Sequence, residues 1–163
     1  MASLVFRDAL LDDLSTIIRL LADDVLGRER EIVEMAGMVE LPIDQRYIDA
    51  FKAIAEDPNQ RLIVALKDEA IIGTLQLSFI PGLANKGAWR GQIEAVRIAA
   101  SARGMGLGQQ MLTWAIAQCR ARGCQLVQLT TNKSRHDAHR FYEKLGFIAS
   151  HQGYKLFFED ASI

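Results

Sequence analysis

The densest chemistry in this chain lies in Arg103-Gly104-Met105-Gly106-Leu107-Gly108, between a strand-like run and an amphipathic helical run. Glycines admit positive φ and let a ligand approach the backbone closely. The free N–H groups that begin the following helix, together with its dipole, favour an anion at that end. An arginine beside it adds a fixed positive charge and a two-pronged donor matched to phosphate. These features predict a phosphate cradle. A nucleoside triphosphate loop is disfavoured, because Gly108 is followed by Gln109-Gln110 where Lys-Ser/Thr is required. The dinucleotide fingerprint fails as well: the spacing is GxGxG, and the next acidic residue is Asp137. A glycine-rich turn without a ligand is the alternative that this segment alone leaves open.

Charge is distributed in the same sense. The formal net charge is −1, yet no Asp or Glu occurs between Ala95 and His136, where Arg97, Arg103, Arg120, Arg122, Lys133 and Arg135 are basic. The acidic excess lies in residues 1–94. Such segregation suggests a local anion site, or else a cluster of solvated arginines.

Glu94 is the acidic residue on the strand leading into the glycine loop. A carboxylate there can take a proton from an alkylammonium through water, or it can pair with Arg90 or Arg97. Because it alternates onto one side with Val96 and Ile98, it is expected to be partly buried or re-aimed by a bulge. His136 and His139 lack a third ligand at metal spacing, so no metal is expected. Cys119 and Cys124 read as reduced thiols without a located activating base.

The elements that must position these residues fit one domain over 1–163. The chain has 163 residues, half of them hydrophobic (50%) and 24% charged. Runs such as LIVAL at 62–66 fall far short of the ~20 residues of a membrane span. The opening MASLVFRDALLDD lacks the unbroken apolar core of a signal peptide, so a cytoplasmic protein is expected. Residues 4–7 read as a strand. A helix follows, capped by Asp12 or Asp13, with Leu14, Ile17, Ile18, Leu21 and Val25 on one face and an end at Gly27. Residues 28–42 have no clean period, and a helix around 47–55 stops at Asp57-Pro58. Strands are expected at 61–67 and 71–80 across a tight turn, at 91–98 and at 124–130. Helices are expected over about 106–121 and 135–145, ending at Gly123 and Gly146. A final strand or hairpin is expected over 147–158. The order βααβββαβαβ predicts an α/β (α+β-like) fold, with a mixed, mostly antiparallel central sheet flanked by helices and a βαβ crossover near its end.

The run IEAVRIAASARGMGLGQQMLTWAIAQCRARGCQLVQLTT, followed by AHRFYEKLGF, resembles the GNAT superfamily of N-acetyltransferases, and FRDALLDDLSTIIRLL is similar to its first strand and helix. The resemblance covers nearly the whole chain and is densest over 93–149. It implies that the backbone of Val96, Arg97 and Ile98 pairs with the pantetheine arm of acetyl-CoA. It further implies that amides from Arg103 through Gly104, Met105, Gly106, Leu107 and Gly108 to Gln109 hold the pyrophosphate. Many members carry Pro where this chain has Ala100, and Asn where it has Arg135. Arg135 could instead reach a CoA phosphate, and Asn132 could supply the amide contact.

By the same resemblance, Tyr142 stands where the family commonly places its general acid. A free tyrosine has a pKa of about 10 and a thiol about 8.5, so full proton donation is uphill by roughly 2 kcal/mol. Hydrogen bonding to the developing thiolate is the safer role, against plain packing beside Phe141. Asp23, Asp24, Glu29, Glu31 and Glu34 lie where the family builds its acceptor pocket, and can equally form a solvated face with Arg28 and Arg30. Trp114 reads as packing, or as a subunit contact in a homodimer. The expectation is an acetyl-CoA-dependent N-acetyltransferase using direct transfer to a primary amine in a ternary complex. The rival is a non-catalytic acyl-CoA-binding regulatory module. Nucleic-acid binding is disfavoured, because the basic residues are not interleaved with aromatic platforms.

Overall fold

The computed structural model describes residues 4–23 and 42–158. Five strands form one sheet in the order β1-β2-β3-β4-β5: Val5–Asp8, Gln60–Lys67, Ala70–Ile80, Arg90–Ile98 and Leu126–Leu129. The first three junctions are antiparallel. The last is parallel, because the helix Leu107–Ala121 carries the chain from β4 to β5. Helices α1 (Leu14–Leu21), α2 (Gln45–Glu56), α3 (Leu107–Ala121) and α4 (His136–Lys144) complete the frame. This agrees with the expected mixed sheet and its late crossover.

Local chemistry explains most boundaries. The β2–β3 hairpin turns through Asp68 (φ 50°) and Glu69 (φ 67°), the two left-handed residues a two-residue turn needs. Asp44 caps α2 by accepting the Arg46 N–H at 2.9 Å, and α2 ends before Pro58 as expected. Asp13 is buried and caps differently from expectation. Its carboxylate accepts the Leu10 N–H at 2.7 Å and the Arg7 guanidinium at 3.0 Å, closing a 3-10 turn at Leu11–Asp13. In the described part, α1 stops at Leu21; Val25, Gly27 and residues 28–41 of the stretch read as having no clean period lie outside the described residues.

The main core joins β2, β3 and β4 to α3. Ile63, Leu75, Leu77, Ile93, Met111, Leu112, Ala115 and Cys119 are fully buried there. Helix α1 lies against β3 and β4 and buries Leu14, Ile17 and Leu20 in a separate set. Trp114 is used for packing: its ring stacks on Phe6 with centroids 4.8 Å apart, and the Arg61 guanidinium lies 5.7 Å from its centroid.

One expectation is overturned. Residues 147–158 form neither strand nor hairpin. A strand needs a ladder partner, and this segment has none among the described residues. Phe147 still packs on Tyr142, with ring centroids 5.9 Å apart. From Ile148 onward the described chain is exposed, and its alternating apolar residues meet no sheet edge.

Candidate functional site

The site begins where β4 leaves β5. Arg90–Ile93 pair with Leu126–Leu129, and no described pairing joins Glu94–Ile98 to β5. On the other side, β4 stays bonded to β3 but slips in register between Thr74 and Gln76. Ala95 sits there at φ 51°, an extra residue that makes a bulge. The bulge separates Glu94 from the alternation with Val96 and Ile98 that its spacing suggested. Val96 and Ile98 pack against the main core, while Glu94 is exposed. Of the two alternatives read from the sequence, the re-aimed carboxylate is the one found. The resulting backbone opening between β4 and β5 is the shape of slot an extended ligand can enter as an added strand.

The glycine loop closes one end of this opening. Gly104 and Gly106 adopt φ 77° and 74°, where side chains are strained although no neighbour would touch a Cβ. Gly106 is the N-cap of α3 and has no side-chain cap. The first intrahelical bond shown there runs from Gln110 N–H to Gly106 O at 3.2 Å, so the helix start directs its early amides outward. Gly108 faces Phe141 of α4, whose Cζ would lie 3.6 Å from an added Cβ. The arrangement is an anion cradle built from backbone donors and a helix dipole.

Arg103 is bonded through its guanidinium to both sides of the loop entrance. Its Nε donates to Ile98 O at 3.0 Å, and its Nη2 donates to Asp23 O at 2.8 Å and to Asp23 Oδ2 at 3.0 Å. Its own amide donates to Ala100 O at 3.3 Å. The Asp23 carboxylate also accepts the Ala100 N–H at 2.9 Å. Asp23 thus ties the end of α1 to the entrance of the glycine loop. Asp24, Glu29, Glu31 and Glu34, which were read with Asp23 as an acidic set, lie outside the described residues.

Arg97 and Arg135 act electrostatically on Tyr142. Burial pushes the Tyr142 hydroxyl above its ordinary pKa, and the positive charges of Arg135 and Arg97 oppose that rise. Both guanidiniums therefore act on the phenol. Arg97 Nη1 also donates to Val96 O at 2.9 Å. Arg135 is the N-cap residue of α4 and, with Ser134, His136, Asp137 and Ala138, lines a hollow of about 340 Å³. Asn132 shapes the turn before α4: its Oδ1 accepts Ser134 N–H at 3.0 Å and Ser134 Oγ–H at 2.9 Å. His139 Nε2 lies 3.0 Å from Asn132 O and braces the same turn. Among the described residues, no three His, Cys, Asp or Glu side chains converge as metal ligands. The Cys119 thiol is pushed up to about 11 by burial and is unsuited to act as a nucleophile.

Sequence reasoning missed the Asp23–Arg103 brace. Its partners stand 80 positions apart, so no local spacing could reveal it. Among the described residues, no helix is long and apolar enough to cross a membrane.

Comparison with known proteins agrees with this geometry. A sequence model of the acetyltransferase (GNAT) family matches residues 28–147. An aminoalkylphosphonate N-acetyltransferase of Salmonella typhimurium is 37% identical over 109 residues, 66% of this chain and 69% of that protein. The crystal structure of a transcriptional regulator from Bacillus halodurans C-125 is 49% identical, with a TM-score of 0.88 over 96% of this chain and all of that one (100%). An acetyltransferase structure from Trypanosoma brucei is 25% identical, with a TM-score of 0.73 over 96% of this chain and 100% of its own.

Proposed function

Because this chain belongs to the acetyltransferase (GNAT) family and is an N-acetyltransferase, we propose that it moves the acetyl group of acetyl-CoA to a primary amine by direct transfer in a ternary complex. The observation that carries this reading is the start of α3 without a side-chain cap, with Gly104 and Gly106 left-handed, beside the stretch of β4 that has left β5. Acetyl-CoA supplies an activated thioester and a pyrophosphate handle.

The amides of Gly104, Met105, Gly106, Leu107, Gly108 and Gln109 hold the pyrophosphate, aided by the α3 dipole. Arg103 shapes this loop through Asp23 and Ile98 and contributes positive charge at short range. The backbone of Val96, Arg97 and Ile98 binds the pantetheine arm as an added strand. Arg135 and Asn132, at the turn before α4, serve the phosphate-bearing end of the cofactor. The Tyr142 hydroxyl hydrogen-bonds the departing thiolate, and the charges of Arg97 and Arg135 favour negative charge at that point. Glu94, exposed at the bulge, accepts the ammonium proton through water. Positioned bases of this kind contribute ~10²–10⁴-fold.

The Salmonella relative acts on aminoalkylphosphonates by its name. That likeness supports an acceptor with a primary amine and a nearby anionic group. The Bacillus halodurans protein is described as a transcriptional regulator, and this description favours the second reading of a regulatory acyl-CoA-binding module. Calorimetry with acetyl-CoA, followed by CoA release measured against primary amines, separates the two. Binding with amine-dependent release supports acetyl transfer. Binding without release from any amine supports the module, and no binding defeats both.

A further inference from the structure

Alternate residues of β4 turn to opposite faces of the sheet. Gly91 and Ile93 face α3: a Cβ added to Gly91 would overlap Cys119 Sγ, and Ile93 lies in the main core. Arg90, Gln92 and Glu94 therefore share the opposite face. They run in the order cation, primary amide, carboxylate, at intervals of ~6.8 Å along the strand. The neighbouring strands continue this polar character. Gln76 stands opposite Glu94, while Ser78 and Gln128 flank Gln92 on its two sides.

Gln92 is buried, although both residues paired with it across the sheet are polar. Burying an amide is costly unless it is bonded. Its oxygen accepts Gln128 Nε2 at 2.7 Å, and its own N–H donors have no bond among the described residues. That nitrogen reaches the surface, for it is not one of the sealed polar atoms that lack a partner. Ser78 and Gln76 are occupied differently, donating to Gln60 Oε1 at 2.7 and 3.1 Å. Arg90 has no hydrogen-bond or ion-pair partner among the described residues, and its Nη1 is turned toward Gly82. One face of β4 thus aligns a carboxylate, an open pair of amide donors and an unneutralised cation.

We propose that this line selects the acceptor as a compact zwitterion, with its ammonium at Glu94 and its oxyanion, on a short alkyl spacer, accepting from the Gln92 amide, while Arg90 supplies positive potential beyond. The proposal rests on the acetyl-transfer reading above and on Glu94 receiving the ammonium proton. The order of charges fits a zwitterion in one direction alone. Reversed, the oxyanion would meet the Glu94 carboxylate and the ammonium would meet Arg90. Gln92 is thereby a specificity-determining residue: an amine with an apolar end leaves its buried donors unpaired, and is rejected for that reason. Phosphonate and carboxylate offer the same oxyanion chemistry, and the test separates them.

The test compares kcat/KM for aminoethylphosphonate, β-alanine and butylamine, using the full chain and acetyl-CoA. The unaltered chain should favour an anionic amine over butylamine by ~10²-fold, and the better of the two anionic amines identifies the oxyanion. Gln92→Leu should reduce that preference at least about tenfold, mainly through KM. Arg90→Gln should reduce it less, by a factor that shrinks as salt rises. Arg120→Ala, which removes an exposed arginine of α3, should leave the preference unchanged. Equal use of butylamine by the unaltered chain would overturn the proposal and leave acetyl transfer intact. So would a Gln92→Leu variant that slows all three amines alike, the mark of a structural role. Calorimetry of the two anionic amines on the CoA-saturated chain reads the line without turnover. Binding that Gln92→Leu weakens, with no CoA release, would support the acceptor line and defeat the transfer reading; no binding and no release would overturn both. If Gln92→Leu does not fold, the preference of the unaltered chain and its fall in Arg90→Gln decide.

Discussion

The Asp23 carboxylate lies 3.0 Å from Nη2 of Arg103 and also accepts the Ala100 N–H at 2.9 Å. One side chain at the end of α1 therefore fixes both the backbone turn before the glycine loop and the arginine that opens it. Arg103 is thereby oriented by Asp23 and Ile98 at the start of the glycine loop. Asp23→Ala should raise the KM for acetyl-CoA about fivefold with little change in kcat. The size follows from losing a half-exposed charged pair worth ~1 kcal/mol. Asp23→Asn, which keeps an oxygen for Ala100, should lie between the two. Steady-state kinetics at saturating amine checks this split.

Gly106→Ala tests the cradle itself. Its φ of 74° strains any side chain although the space beside it is open, so the effect is conformational. Straining or shifting this residue costs of order 1–3 kcal/mol. Calorimetry should show acetyl-CoA affinity falling by roughly 5- to 150-fold.

Tyr142→Phe should lower kcat by ~10²-fold or more and leave acetyl-CoA affinity unchanged. Burial holds the hydroxyl above its ordinary value of 10.0, against the opposing charges of Arg135 and Arg97. The phenol then stays protonated until pH passes above that value. Its ionisation should add no basic limb to the rate profile below pH 10, which a pH–rate series on the unaltered enzyme checks.

Glu94→Gln should slow turnover near neutrality by ~10²-fold. It should recover partly as pH rises toward the amine's own pKa of about 10, where free amine needs no base. An unshifted pH–rate profile in the variant would place proton removal elsewhere.

Asp13 couples the fold to acid. The Arg7 guanidinium hydrogen bond, outweighing partial burial, holds its carboxyl below the ordinary 3.8. Its stabilisation is fully present above the unfolded carboxylate's pKa and is lost as pH falls through the lower folded value. Asp13→Asn should cost about 1–2 kcal/mol at neutral pH, and the difference in Tm should shrink below pH 3.

Much of this was legible because the signals are local. Left-handed glycines, a helix start without a side-chain cap and period-two strands can be read from neighbouring residues. The frame of β2, β3, β4 and α3 accordingly matches its sequence reading within a residue or two. Two features were out of reach for different reasons. The Asp23 brace joins residues distant in the chain, so an acidic residue near an expected acceptor pocket was read for charge alone. The tail shows the limit of periodicity: alternation from Tyr154 to Phe158 predicts an extended chain with an apolar side, and says nothing about whether a neighbouring strand is there to pair with it. Glu94 lies between these cases. Its strand was clear, but only the left-handed Ala95 decides which way the carboxylate turns.

The most direct test of acetyl transfer is CoA thiol release from the full chain with acetyl-CoA and an aminoalkylphosphonate, with the product identified by mass spectrometry. Amine-dependent release, with one acetyl group on the amine nitrogen per CoA, is the predicted result. Tight acetyl-CoA binding with no release from this amine or any other primary amine would contradict it.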